Sequence, residues 1–166
     1  MLPKIEKILY ASALGAGAPC VCRYALSVAR QCQARVTVLH VIEPLSTFGQ
    51  SLVELHISHA DSEAQHAEAR SQVKINLEQE LHELIRQETV EGEYDRLIEG
   101  GKVVEGQPAE QILLGAEKAG ADLIIVGSHR HSAIGDALLG HTASKGTHRS
   151  KIPVLLAPIP DGYPGV

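Results

Sequence analysis

The stretch with the clearest chemical potential lies near the end of the chain, where a polar, glycine-bearing loop follows a short apolar run. Residues 123–126 are Leu-Ile-Ile-Val, which predicts a strand buried on both faces. Gly127 ends this run, residues 128–135 form the loop, and a helical pattern containing Gly140 follows. A loop that leads into a helix N-terminus gathers unpaired N–H groups and the positive end of the helix dipole, which suits a phosphate. The loop is therefore a candidate anion site, unless Gly127 and Gly140 only permit tight turns and close packing.

Histidines in and around this loop raise the question of a metal site. His129 and His131 flank Arg130, and His141 and His148 follow downstream. A second, scattered group comprises His56, His59, His66 and His82. Zinc sites use a closely spaced set of nitrogen, sulfur or oxygen ligands, and neither group has an evident complete set. We therefore predict no metal site.

The same loop contains residue types that serve as nucleophiles and acids in enzymes. Ser128 and Ser132 have histidine neighbours in sequence, but no G-x-S-x-G elbow surrounds them. Asp136 stands at a position typical of a helix cap rather than of an acid catalyst. The phosphate-binding pattern G-x-x-x-x-G-K-[ST] is absent from the chain. The sequence therefore predicts no enzymatic activity.

The order of predicted elements places this loop at one edge of a parallel sheet. Apolar runs predict five strands, at residues 8–12, 36–42, 97–105, 123–126 and 152–157. The third run contains Gly100-Gly101 and is predicted to be bulged or at an edge. Strands that alternate with helices indicate one α/β domain with five parallel strands, whose ligands bind at the carboxyl ends of the strands.

Three helical patterns separate these strands. The first, residues 20–33, is predicted to bury Val21, Ala25, Val28, Ala29 and Cys32. The second, residues 61–88, is long and polar, with a thin apolar stripe at Val73, Leu77, Leu81 and Leu84. The third starts at Pro108 and stops at Gly120, and its predicted buried side is Ile112, Leu113, Ala116 and Ala119.

Composition and charge limit the classes of function. The chain has 166 residues, 44% of them hydrophobic, which predicts one domain at 1–159 with a flexible tail at 160–166. A net charge of -5 and the lack of tryptophan argue against a nucleic-acid surface. Cys20, Cys22 and Cys32 fall in one helix and are expected to be reduced, packed thiols. No run is long and apolar enough for a signal peptide or membrane span, so we expect a cytoplasmic protein.

Four segments, taken in order, resemble the universal stress protein family. They are ILYASALGAGAPCVCRYALSVARQC, VTVLHVIEP, GQPAEQILLGAEKAGADLIIVGSH and LLGHTASKGTHRSKIPVLLAP. The resemblance covers nearly the whole chain and implies a three-layer, Rossmann-like sandwich with a five-stranded parallel sheet. It also implies a homodimer formed through the last strand, residues 152–158, whose apolar edge is suited to strand pairing.

The resemblance further implies a position for an ATP site. Family members that bind ATP resemble the pattern G-x-x-G, nine residues, then G-[S/T], together with an Asp at the end of the first strand. The corresponding site residues of this chain are Ala13, Val41, Gly127, Ser128, His129, Arg130, Gly140, His141 and Thr142. Gly127 and Gly140 match the pattern, and Val41 stands where the family has an adenine-contacting residue.

Three positions depart from this ATP-binding pattern. Arg130 replaces a glycine, His141 replaces the Ser or Thr, and Ala13 replaces the Asp. Arginine tolerates a positive φ poorly, and an alanine offers no acceptor to the adenine or ribose. Two lost hydrogen bonds cost on the order of ten- to a thousandfold in affinity. Against this, Arg130, His131 and His141 add positive character that favours an anion, and Thr142 keeps a hydroxyl next to position 141.

Three functions remain open on these grounds. The first is a non-catalytic stress-response module whose degraded loop binds nucleotide weakly or not at all. The second is a regulatory switch that still binds ATP or AMP. The third is a weak, Mg²⁺-dependent nucleotide hydrolase. The sequence favours the first function, and it makes no cofactor certain, with ATP or AMP as the candidates.

Overall fold

A five-stranded parallel sheet forms the centre of the protein. The computed structural model describes residues 1–44, 62–128 and 150–164. The strands in these residues are β1 (Lys7–Ala11), β2 (Arg35–Ile42), β3 (Ile98–Glu105), β4 (Leu123–Ser128) and β5 (Val154–Pro158). They lie in the order β3-β2-β1-β4-β5, and every neighbouring pair is parallel. The predicted five parallel strands are confirmed, with ends that differ from the prediction by one or two residues.

Helices cover both faces of this sheet. The described helices are α1 (Ala18–Cys32), α2 (Ser62–Glu88), α3 (Glu93–Leu97) and α4 (Pro108–Ala119). The side chains of β1 alternate between two apolar clusters. Ile8 and Tyr10 join the cluster that includes α1 and α2, whereas Leu9 and Ala11 join the cluster that includes α4. The central strands are thus buried on both faces, which explains their near-continuous apolar sequence.

Strand β3 lies at one edge of the sheet and contains an irregularity. Val36 pairs with Ile98, but the next residue, Thr37, pairs with Gly100, so Glu99 is an extra residue on β3. Two residues that oppose one make a β-bulge. The prediction of a bulged or edge strand at Gly100-Gly101 is therefore confirmed on both points.

Helix α1 buries a different set of side chains from the one predicted. Cys32, predicted to be buried, is exposed, whereas Cys22 and Leu26 are buried. Cys32 is the last residue of the helix, and the chain turns away at Gln33, which has a left-handed backbone with φ 56. The prediction of packed thiols therefore holds fully only for Cys22, because Cys20 is half-buried. Burial raises the pKa of the Cys22 thiol to about 12, so this thiol stays protonated and unreactive at neutral pH.

The apolar stripe of α2 contacts the core only towards the C-terminal end of the helix. Leu81 and Ile85 are fully buried, Leu77 and Leu84 are half-buried, and Val73 is 50% exposed. The predicted contribution of Val73 to the buried stripe is therefore wrong, and Ile85 was missed. A helix of 27 residues is about 40 Å long, whereas an eight-residue strand spans about 27 Å, so the helix is longer than the sheet it covers.

Two ion pairs connect α1 to the helices beside it. Arg23 donates to both carboxylate oxygens of Glu88 on α2, with N–O distances of 2.6 and 3.0 Å. Arg30 donates to both oxygens of Glu93 on α3, at 2.6 and 2.7 Å. The side chain of Glu93 is only 5% exposed, and one of its oxygens also accepts from the backbone N–H of Val90 at 3.1 Å. The short helix α3, which the sequence did not predict, is thereby attached to α1.

The Asp122 carboxylate connects β1 and β4 at the amino-terminal end of the sheet. Oδ2 of Asp122 accepts hydrogen bonds from the backbone N–H groups of Glu6 and Lys7, both at 2.9 Å. The backbone N–H of Asp122 in turn donates to the carbonyl of Lys7 at 2.7 Å. These contacts set the relative register of β1 and β4 at the end of the sheet opposite to the candidate site.

Candidate functional site

The strand order creates a cleft between the ends of β1 and β4. The chain runs outward from β1 through β2 to β3, and outward through β4 to β5 on the other side, so the connections diverge at the β1–β4 pair. In such sheets ligands bind at this divergence, outside the carboxyl ends of the strands. Ala11 pairs with Leu39 of β2 and with Val126 of β4. The paired register of β1 ends at this residue, and Ala13 follows two positions later, at the carboxyl end of the strand.

The loop from β1 to α1 has a defined conformation at this edge. Ser12 is buried, and its backbone N–H donates to the carbonyl of Leu39 at 2.8 Å. The Ser12 hydroxyl accepts from the backbone N–H of Leu14 at 3.2 Å, and Leu14 has a left-handed backbone with φ 54. A non-glycine residue in this region carries some strain, which the serine contact helps to offset. The result is that Ala13 is exposed at the mouth of the cleft.

The side chains of His40 and Tyr10 anchor this loop and the start of the helix that follows it. Nδ1 of His40 lies 2.8 Å from the carbonyl oxygen of Ser12, and because a carbonyl only accepts, Nδ1 carries the hydrogen. The Tyr10 hydroxyl donates to the carbonyl of Ala18, in the first turn of α1, at 3.2 Å. Burial raises the pKa of Tyr10 well above its usual value, so the hydroxyl stays neutral and keeps donating. Neither residue was predicted from the sequence, although a polar side chain within an apolar strand is a signal of such a role.

Val41 forms an apolar wall of the cleft. It is 7% exposed and belongs to the apolar cluster on the α4 side of the sheet. The next residue, Ile42, accepts a hydrogen bond at its carbonyl from the N–H of Gly106 at 3.0 Å, which anchors the end of β2 to the end of β3. Val41 therefore provides an apolar surface without side-chain donors or acceptors.

Gly127 is required for packing in this structure. A Cβ at this position would lie 2.9 Å from Cγ2 of Val21 on α1, closer than side chains approach one another. Gly127 is not among the described glycines with a positive φ, so conformational freedom is not the reason for the glycine. The packing interpretation of this residue, one of the two offered by the sequence, is thus supported by a specific contact.

The remaining predicted site residues are described in part or not at all. Ser128 ends β4, and its backbone pairs with Pro158, but its side chain is outside the description. The other five predicted residues lie outside the described residues, and these are His129, Arg130, Gly140, His141 and Thr142. The structure therefore brings together Ala13, Val41, Gly127 and the backbone of Ser128 at one edge.

The described residues of the cleft can form apolar contacts and backbone hydrogen bonds. Ala13, Val41 and Gly127 have no polar side-chain atoms, so they provide neither an acid nor a base. Within residues 1–44, 62–128 and 150–164, no group of three or more His, Cys, Asp or Glu residues could hold a metal ion. In the same three ranges, no helix combines the length and apolar character needed to cross a membrane.

The fold and this cleft define a class of protein, namely α/β proteins with a doubly wound parallel sheet and a ligand cleft where the connections diverge. A model of the universal stress protein family matches residues 4–158. The chain therefore belongs to the universal stress protein family, as its segments predicted. A comparison with curated proteins found no match.

Solved structures of this family share the fold. A hypothetical protein whose biochemical function was assigned from its structure aligns with a TM-score of 0.64 and 22% identity, over 94% of this chain and 97% of that chain. A universal stress protein in complex with cAMP aligns with a TM-score of 0.57 and 17% identity, over 95% of this chain and 100% of that chain. A protein of the universal stress protein family from Burkholderia pseudomallei aligns with a TM-score of 0.51 and 22% identity, over 92% of this chain and 95% of that chain. The predicted Rossmann-like sandwich is confirmed.

Proposed function

We propose that this protein is a non-catalytic, cytoplasmic stress-response module whose cleft between β1 and β4 binds adenine nucleotides weakly or not at all. The site comprises Ala13, Val41, Gly127 and Ser128 at the sheet edge. The loop contributes His129, Arg130, Gly140, His141 and Thr142. Nothing in the described part of this edge supplies the acid–base pair that hydrolysis of a nucleotide would use.

The observation that supports this proposal is the side chain at position 13. Ala13 is exposed two residues beyond the end of β1, at the position where the resemblance to ATP-binding members of the family implies an Asp. A nucleotide bound here would lose water from its polar adenine or ribose groups without gaining a carboxylate acceptor. An unmet polar group costs about 1–3 kcal/mol, which is about five- to a hundredfold in affinity.

A titration of the purified protein with ATP tests the proposal. We expect a dissociation constant weaker than about 100 µM, because the apolar wall and backbone donors remain while the carboxylate is missing. Calorimetry would measure the affinity, and adenine absorbance in the supernatant of boiled protein would detect nucleotide carried through purification. GTP serves as the control for base recognition. Micromolar ATP binding would contradict the proposal, and ATP consumed during a long incubation with Mg²⁺ would contradict the absence of catalysis.

The second candidate function is a regulatory switch that binds ATP or AMP. It is favoured by the β1 side of the cleft, where Ser12 and His40 contacts hold the β1–α1 loop and Tyr10 holds the first turn of α1. A universal stress protein of the same fold has been solved in complex with cAMP. The titration separates the two functions, because micromolar binding of ATP or AMP would support the switch and contradict the first function.

We propose in addition that the protein pairs as a homodimer through β5. This strand is at the sheet edge, and Val154, Leu155 and Leu156 are half-buried in the single chain. The backbone N–H of Ile124 donates to the carbonyl of Pro153, so the backbone groups of Pro153 face β4. Successive residues of a strand direct their N–H and C=O groups to opposite sides. The backbone groups of Val154 and Leu156 therefore face away from β4, and among the described residues no strand pairs with that side of β5.

A proline at position 156 should weaken such a dimer. Leu156→Pro removes a backbone donor that faces away from β4, and edge strands tolerate proline, so the fold should survive. We expect the dimer dissociation constant to rise by about tenfold or more, since a backbone hydrogen bond is lost at each of two symmetric positions. Analytical ultracentrifugation measures this, and Leu156→Ile, which keeps the donor, is the matched control. A wild-type protein that stays monomeric at about 100 µM would exclude the proposed dimer.

A further inference from the structure

The residue that follows β5 packs against both sides of the cleft. Ile159 is half-buried and joins the apolar cluster on the α1 face of the sheet. A Cβ added to Gly17, at the start of α1, would lie 2.6 Å from Cδ1 of Ile159. A Cβ added to Gly127, near the end of β4, would lie 3.5 Å from the same Cδ1 atom. One methyl group thus contacts the α1 side and the β4 side together.

The backbone of Gly17 shows that this contact is the reason for the glycine. Gly17 has φ -78 and ψ -6, a right-handed conformation that any residue adopts. Three atoms of Ile159 would lie within 3.3 Å of an added Cβ, so a side chain at Gly17 would displace Ile159. The glycine at this position therefore makes room for Ile159, and the backbone conformation does not require it.

The chain around Ile159 is held along the first turns of α1. The Cys20 thiol lies 3.7 Å from the carbonyl oxygen of Pro158, immediately before Ile159. The backbone N–H of Tyr163 donates to the carbonyl of Pro160 at 3.1 Å, so a turn follows immediately after it. The Cys20 contact therefore places the end of β5 beside the first turn of α1, with the Ile159 side chain next to Gly17 and Gly127.

We propose that Ile159 is a positioning residue that sets the separation between the β1–α1 loop and the end of β4, and thereby the affinity of the cleft for a nucleotide. This inference rests on the proposed function only in taking the cleft as the ligand site. Gly17 follows the loop that contains Ala13, and Gly127 precedes the loop that contains Arg130. Removing the Ile159 side chain leaves a gap between these two backbone points, and closely packed interiors respond to such gaps by shifting or loosening.

Hydrogen exchange is the first test. Ile159→Ala should raise the exchange rates of the amides in residues 17–21 and 126–128 by about tenfold, because local opening then costs less. Exchange in β2 and β3 should stay unchanged. Leu155→Ala is the matched control, since Leu155 is half-buried in β5, the strand that precedes Ile159, and packs on the same cluster. It should leave residues 17–21 unaffected. Unchanged exchange at both sites, or a uniform rise over the whole chain, would overturn the proposal.

A double-mutant cycle with Gly17 is the second test, and it does not depend on truncating Ile159 alone. Gly17→Ala should by itself raise exchange at residues 126–128, because the new methyl group displaces Ile159. In Gly17→Ala with Ile159→Ala the displacement no longer occurs, so the double variant should resemble Ile159→Ala alone. Contacting residues show such non-additivity, whereas independent sites add. Additive effects of the two substitutions would contradict the positioning role.

The nucleotide itself provides the third readout. Ligand-observed NMR with ATP reaches millimolar affinities, and Ile159→Ala should weaken binding by about tenfold, the scale on which small misplacements reduce the productive geometry of a site. Ile159→Val should restore most of the affinity. Micromolar binding by the wild type would contradict the proposed function yet leave the ratio between variants as a valid test. Equal affinities in wild type and Ile159→Ala would overturn the inference, and where no ATP binds to either, the exchange data decide it.

Discussion

Ala13→Asp combined with Arg130→Gly and His141→Ser should raise the affinity of the protein for ATP by about ten- to a thousandfold. The first change restores a carboxylate at the exposed mouth of the cleft, where the Ser12 and Leu14 contacts already fix the loop. The other two restore the glycine and the hydroxyl of the family's pattern. Each restored hydrogen bond contributes about 1 kcal/mol, and a charged one contributes more.

Calorimetry on the wild type, on Ala13→Asp alone and on the triple variant measures this effect. Ala16→Asp is the matched control, because Ala16 is exposed in the same loop and its substitution adds the same charge at another place. The control should leave the ATP affinity unchanged or lower it through repulsion of the phosphates. A flat response of the triple variant would mean that the cleft between β1 and β4 is not the nucleotide site.

Glu93→Gln should lower the free energy of unfolding by about 2 kcal/mol at pH 7. Both oxygens of Glu93 accept from Arg30, and one also accepts from the N–H of Val90. An amide offers one oxygen in place of two and turns an N–H group towards the guanidinium. The cost stays below that of a fully buried pair because the Arg30 side chain is 44% exposed and water can solvate the cation left behind. Urea denaturation measures the difference.

The same substitution should remove a defined part of the pH dependence of stability. The hydrogen bonds from Arg30 lower the pKa of Glu93 from 4.5 to about 2. The carboxyl therefore binds a proton more readily in the unfolded chain, so its stabilisation is complete above pH 4.5 and is lost as the pH falls from 4.5 towards 2. The difference in free energy of unfolding between the wild type and Glu93→Gln should therefore decrease as the pH falls from 4.5 towards 2.

Glu88→Gln is the matched control for this prediction. Glu88 also accepts two hydrogen bonds from an arginine, but its partner Arg23 is 63% exposed, and exposed pairs contribute little. We expect a loss of less than about 1 kcal/mol. The specific role of the buried Glu93 carboxylate would be contradicted if both variants lost the same free energy of unfolding. It would also be contradicted if the stability difference between the wild type and Glu93→Gln did not change with pH.

The strands and the position of the cleft could be predicted from the sequence because each depends on a short-range pattern. A run such as residues 123–126 is apolar at every position only when both faces of the strand are buried, so the run indicates a covered parallel strand without any knowledge of its neighbours. Gly120 likewise ends α4 in the predicted way, with a left-handed backbone at φ 60. Helix faces were predicted less well, since Cys32 and Val73 fit an apolar stripe but lie beyond the packed part of their helices.

The contacts that hold the cleft could not be predicted in the same way, because they join residues far apart in the chain. His40 contacts Ser12 across 28 positions, and Arg30 contacts Glu93 across 63. Ile159 reaches Gly17 and Gly127 only because β5 lies beside β4 and α1 crosses above them. A glycine in the sequence does not show whether it serves a turn, a ligand or a neighbouring side chain.

The sequence by itself determined the family, the five parallel strands and the residue types at positions 13, 130 and 141, since these are properties of residue type and order. Only the tertiary structure decided that Ala13 is exposed at the carboxyl end of β1, and that Gly17 and Gly127 make room for Ile159. The physical reason is that residue type sets which groups a position can offer, whereas strand register and helix packing set which groups meet.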